Sequence, residues 1–74
     1  MFAASVVEDP DDLGYVPVHY ERGGAITFFG VPTGRAVHVQ VWEIDPRTWD
    51  WHEIQRRKID TPSLDGWRES VVVR

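Results

Sequence analysis

Residues 37–59 constrain the chain most: two runs of strand-like character flank Asp45, Pro46, Arg47 and Thr48, and three of the four tryptophans lie beside that bend. Through residues 35–44, Val37, Val39 and Val41 line one face while His38, Gln40 and Trp42 line the other. That period of two belongs to a strand and not to a helix. Residues 49–59 also read as a strand. Pro46 would suit a first helical position, but helical spacing from Trp49 sets His52, Glu53, Arg56 and Arg57 on its face, which is a poor apolar stripe. The two strands are therefore expected to form a β-hairpin. If Ile44 pairs with Trp49, Trp42 falls opposite Trp51, and all four side chains share a face that is either core or binding surface.

The chain has 74 residues, enough for one domain with one small core. An apolar share of 42 % with nine aromatic residues is that of a folded protein, and the absence of cysteine excludes a disulfide framework and a thiolate metal site. The apolar run Phe2–Val7 stops at Glu8 and Asp9 and lacks a basic flank, so it reads neither as a signal peptide nor as a membrane span. A cytoplasmic location is the expectation, with no membrane partner. Charge is uneven: residues 1–34 carry five acids and one base, residues 35–74 seven of each. A net charge of −4 argues against binding along phosphate backbones, so nucleic acid is an unlikely partner.

Before the hairpin, Phe2–Val7 reads as a short strand or a tail, followed by an acidic loop through residue 12; residues 13–74 read as a single β domain. Val16, Val18 and Tyr20 alternate with Pro17, His19 and Glu21 ahead of Gly23 and Gly24, a pair suited to a two-residue hairpin turn. Pairing Arg22 with Ala25 across it gives one apolar side to Val16, Val18, Tyr20, Phe29 and Val31, and leaves Ile26 and Phe28 with His19 and Glu21. Val31, Pro32, Thr33 and Gly34 form a second turn. Residues 61–66 gather turn formers, and residues 67–74 read as a last strand whose three consecutive valines imply burial on both faces or an edge used by a partner. The expected fold is all-β, a small five- or six-stranded antiparallel barrel or sandwich. Residues 26–34, followed by the alternating valines, resemble the strand-turn-strand unit of immunoglobulin-like and transthyretin-like sandwiches over less than a third of the chain. That resemblance bears on fold class alone.

Few residue sets carry chemistry. In the expected register Glu43 faces Asp50 with His52 next on that side, a weak general-base or hard-metal cluster that Arg47 would neutralise. The acidic residues 8–12 lack the ligand spacing of a calcium loop, and Ser5, Ser63 and Ser70 lack a nucleophile setting. No catalytic residue, metal or cofactor is expected. Arg56, Arg57 and Lys58 form the one basic run, split between two faces of a strand. Two or more exposed indoles would form a platform of the kind that protein interfaces use, with Arg47 and Arg56 at its rim. The expectation is a small non-enzymatic interaction protein, of a regulatory or phage-inhibitor type, that binds another protein through Trp42, Trp49, Trp51, Arg47 and Arg56. Homo-oligomers are compatible with this reading. The alternative is a module that stacks glycans or single-stranded nucleic acid on the same indoles.

Overall fold

The structure, a computed structural model, describes residues 1–9, 11 and 19–73. Among them run six strands and no helix: β1 (Phe2–Val7), β2 (His19–Glu21), β3 (Ala25–Phe28), β4 (Ala36–Ile44), β5 (Trp51–Asp60) and β6 (Glu69–Val72). The all-β, antiparallel class is the one expected. The strands form a four-stranded sheet, β2-β1-β4-β5, and a two-stranded sheet, β3-β6, and they do not close into a barrel. No helix among the described residues is long and apolar enough to cross a membrane.

β4 organises the larger sheet because Val37, Val39 and Val41 are β-branched and its length spans both neighbours. It pairs with β1 from Phe2↔Glu43 to Val7↔His38 and with β5 from Ala36↔Asp60 to Ile44↔Trp51. Val37, Val39 and Val41 are fully buried, and with Phe2 and Ala4 of β1 they share one cluster with Ile26 and Phe28 of β3, Val31, and Val71 and Val73 of the last strand and its end. The core therefore draws on both sheets. Direct cross-strand partners share a face, so Phe2, Ala4 and Val6 turn the same way as Val41 and Val39, while Ala3, Ser5 and Val7 turn outward beside Trp42, Gln40 and His38. Small residues in the centre of β1 let rings from neighbouring strands close over them.

The expected hairpin at Gly23 and Gly24 is not formed. β2 pairs with β1, and β3 pairs with β6, so the two glycines carry the chain from one sheet to the other. Gly24 takes φ 94°, and its carbonyl accepts from the Val73 N–H at 2.8 Å. The expected faces reverse with the pairing. Ile26 and Phe28 are buried, whereas Phe29 is exposed beneath the Arg68 guanidinium, 5.3 Å from its ring centre. Burial decides this outcome: Ile26 stands directly opposite Val71, and that apolar pair can close over the β4 valines. Residues 15–18 of the expected strand lie outside the described residues. The strand-turn-strand unit likewise spans the sheets, since β3 and β4 do not pair.

The return from β3 to β4 is pinned by Thr61, just past the end of β5. Its buried hydroxyl donates to the carbonyl of Pro32 at 2.7 Å, and its N–H donates to the Arg35 carbonyl at 3.0 Å. Gly34 sits at φ 68° and donates its N–H to the carbonyls of Thr61 and Pro62. A Cβ there would run into the Ser63 hydroxyl, so the turn takes glycine for both conformation and space.

The valine triplet resolves into alternation. Val71 and Val73 are buried, and Val72 between them is 65 % exposed, so the triplet is not buried on both faces; β6 is an edge of its two-stranded sheet. Val71→Ala is expected to cost about 2 kcal/mol, from lost burial and the cavity left behind. Val72→Ala should stay within about 0.5 kcal/mol of wild type. Urea unfolding midpoints of the two variants check this, and equal costs would contradict the packing.

Candidate aromatic binding face

The site begins with the loop that joins β4 to β5. The Asp45 carboxylate accepts from the Arg47 N–H at 2.8 Å, the Asp45 carbonyl accepts from the Trp49 N–H at 2.8 Å, and the Asp45 N–H donates to the Asp50 carbonyl at 3.0 Å. Thr48 donates its hydroxyl to the Asp50 carboxylate at 3.0 Å. With Pro46 presetting the first loop residue, this closes a four-residue loop, 46–49, whose last residue must turn left-handed. Trp49 occupies that position at φ 62°.

This loop moves the register by two residues from the expected one. Ile44 pairs with Trp51, not with Trp49, and a bulge at Val41/Trp42 leaves Ile54 as the extra residue of β5. Three consequences follow. Trp49 leaves the hairpin face and stands in the loop. Glu43 faces His52 and not Asp50, whose carboxylate holds Thr48, so the expected cluster of Glu43, Asp50 and His52 is not assembled. Gln55 passes to the core side opposite Val41, while Glu53 stays beside Trp42. Among the described residues no group of three acids or histidines is placed to hold a metal ion.

Trp42 and Trp51 do meet, as diagonal neighbours, with ring centres 5.7 Å apart and planes at 59°. Tyr20 of β2 joins them edge-on, 6.0 Å from Trp51. The three rings converge because Ala3 lies between Tyr20 and Trp42 in the sheet and offers only a methyl group. Ala3 and Ile44 are buried on this side, apart from the core between the sheets. Trp42 is half-buried and forms the floor, Trp51 is 40 % exposed, and Trp49 is 60 % exposed at the tip. Tyr20 adds exposed apolar surface to the face, which the sequence did not single out. Tyr20 enters only through the β1–β2 pairing.

Next to the rings the face turns polar. The Ser5 hydroxyl donates to Gln40 at 3.3 Å, and Arg56 grips Glu53 through two hydrogen bonds of 2.9 Å. The Arg56 guanidinium holds the Glu53 carboxyl below its ordinary range, with a smaller contribution from a Gln40 hydrogen bond, against the cost of burial. Arg56 is thus a fixed rim charge. Arg47 projects into solvent at the loop, with Nε 3.9 Å from the Asp45 carboxylate. Beyond Arg56, Glu8 takes an ion pair from Arg35 at 2.9 Å and its carbonyl lies 3.1 Å from His38 Nδ1, so the acidic loop anchors at the basic end of the sheet.

On the opposite side of the hairpin from Trp42, a shallow pocket of about 520 Å³ lies among Glu43, Asp45, Arg47 and His52. It mixes acidic and basic side chains, and nothing in its geometry singles out a nucleophile or a general base. Comparison of the chain with family models, with curated proteins and with solved structures gives no match.

The Glu53–Arg56 pair has a signed pH dependence. A carboxyl whose pKa falls on folding adds stability above its unfolded pKa and loses it as pH drops through the folded value. The stability difference between wild type and Glu53→Gln should therefore be largest at neutral pH and shrink in acid, below the ordinary carboxylate range. Urea midpoints of both proteins at neutral and acid pH measure it; a gap that widens in acid would contradict the assignment.

Proposed function

We propose that the chain is a small non-enzymatic protein that binds another protein through the aromatic end of the β4–β5 hairpin. In this reading the two sheets pack as a small sandwich that serves as a rigid base, and the protein works in the cytoplasm. Trp49 and Trp51 are the anchors, Trp42 is the floor beneath Trp51, Arg56 is the rim charge beside the rings, and Arg47 joins the contact from the loop end of the hairpin. The observation that carries the reading is the state of Trp49, 60 % exposed at φ 62°. A bulky residue in the left-handed region costs about 1 kcal/mol where glycine would cost none, and its indole recovers little of that cost while it faces water. Strain and exposure at one position fit a residue kept for contact with something else. Large aromatic side chains and arginine dominate the energetics of protein interfaces, which favours a protein partner.

A second reading has its own support. The planar polar groups of Gln40, Glu53 and Arg56 lie beside the Tyr20, Trp42 and Trp51 rings, an arrangement suited to a sugar stacked on the indoles. The charge of −4 favours a glycan over a nucleic acid within this reading.

Trp49→Gly separates these outcomes. Without the strained backbone the variant is expected to be as stable as wild type or up to about 1 kcal/mol more stable. Its capture of a protein retained by immobilised wild type should fall at least tenfold. Loss of the folded state, read by far-UV circular dichroism, would show that the indole is structural and overturn the proposal. Undiminished capture, or glycan binding that Trp51→Ala abolishes, would overturn it in favour of another face or of the sugar reading.

A further inference from the structure

We infer that the free edge of β5 is a self-recognition edge, at which two copies of the chain join β5 to β5 antiparallel with Glu53 of each opposite Lys58 of the other. β5 is ten residues long, contains no proline, and pairs with β4 alone among the described strands. Its outer row of backbone N–H and C=O groups is therefore a template for another strand. Natural edges are usually blunted, and this one is blunted by Arg56, Arg57 and Lys58 in one half and by the bulge at Ile54 in its middle. The half from Trp51 to Ile54 is instead exposed and carries no lysine or arginine.

The order of charges identifies the strand that this edge admits. Pairing with β4 puts Trp51, Glu53, Lys58 and Asp60 on the aromatic face, opposite Ile44, Trp42, His38 and Ala36, and puts His52 and Ile59 on the core face. A two-fold axis perpendicular to the sheet keeps each face continuous across the junction. With Glu53 set opposite Lys58 of the second copy, Trp51 meets Asp60 and His52 meets Ile59, so all three pairs match in face. Each pair occurs twice by symmetry. The bulged residues 54–57 straddle the axis, and Glu53, bonded to Arg56 of its own chain through both oxygens, would meet Lys58 of the second copy through its remaining lone pairs. Lys58 rejects strands that bring no acid to it and accepts this chain's own Glu53, which gives the edge specificity as well as protection. β6 is a weaker candidate, being four residues long with a single charged side chain and no complementary order.

This inference is independent of the role given to Trp49, which lies in the loop beyond the paired residues. It would extend the sheet to eight strands and hold two Trp51 rings on one face roughly 30 Å apart, from the strand rise. A partner with two matching sites would then gain avidity.

Sedimentation velocity over a concentration series tests the pairing. Wild type should approach twice the chain mass of 8.5 kDa as concentration rises. Lys58→Glu alone and Glu53→Lys alone should each weaken self-association at least tenfold, because each sets like charges opposite each other twice. An equimolar mixture of the two variants should restore the dimer, since every pair across the junction is then opposite in sign. If Glu53→Lys fails to fold, Lys58→Glu still decides the matter, as it leaves the Glu53–Arg56 pair intact. A wild type that stays monomeric at several hundred micromolar, or a dimer indifferent to Lys58→Glu, would overturn the inference. Trp49→Gly should leave the dimer unchanged, so failure here and failure of the proposed function are separable.

Discussion

Burial of the three β4 valines against the β3-β6 sheet governs the rest of the molecule. Val37, Val39 and Val41 alternate perfectly, and committing them inward leaves His38, Gln40 and Trp42 no choice but the outer face. β1 follows, because its register on β4 must turn Phe2 and Ala4 inward to complete the same core. That register then puts Ala3 beside Trp42, and the small side chain leaves room for Tyr20 and Trp51 to close over it. The aromatic face is thus a consequence of core packing on the other side of the sheet. A slip of one residue along β4 would bury the polar set and expose the valines, which the apolar contribution of three fully buried side chains strongly disfavours.

The legibility of the sequence tracks where a single physical signal acts alone. Strand β4 was readable because alternation over nine residues has one interpretation, and β5 was readable because no helical stripe competed with it. At Gly23 and Gly24 local turn chemistry and distant burial disagree, so the chain departs from the expected hairpin. Gly-Gly permits a tight hairpin, but Ile26 opposite Val71 gains more by joining the core than β3 would gain by pairing with its sequence neighbour. Antiparallel neighbours that are distant in sequence leave no local trace, so the β1–β2 and β3–β6 pairings, and Tyr20's place among the tryptophans, were beyond a local reading.

The hairpin tip shows how small register errors rearrange a candidate site. Three tryptophans near the bend were legible, as were Arg47 and Arg56, but their relative positions depend on the loop length. Asp45 accepts from both Arg47 and Trp49, which lengthens the loop and expels Trp49 from the strand. The signal for a four-residue loop would ordinarily be a glycine at its left-handed end, and here that end is a tryptophan. The sequence offers no cue to this because the residue in the strained position is the one chemistry would least choose for it. The bulge at Ile54 then restores the face of Glu53 and shifts Gln55 to the core side, a change that no propensity scale encodes.

The outer face is consequently divided by electrostatics as well as by shape. Toward the loop it is aromatic and nearly uncharged, and toward the other end it carries His38, Arg56 and Lys58, met by Glu8 from the loop after β1. The Glu53–Arg56 pair sits at the boundary. Its two parallel hydrogen bonds fix the planar guanidinium against the sheet, while surface exposure keeps its net contribution to stability small. Such a pair matters more for arrangement than for energy. It holds a flat polar edge beside the rings and neutralises Arg56, so that the face offers apolar surface at the rings and a fixed charge pattern next to them. If the face binds as proposed, affinity comes from desolvating Trp49 and Trp51 and orientation from the rim.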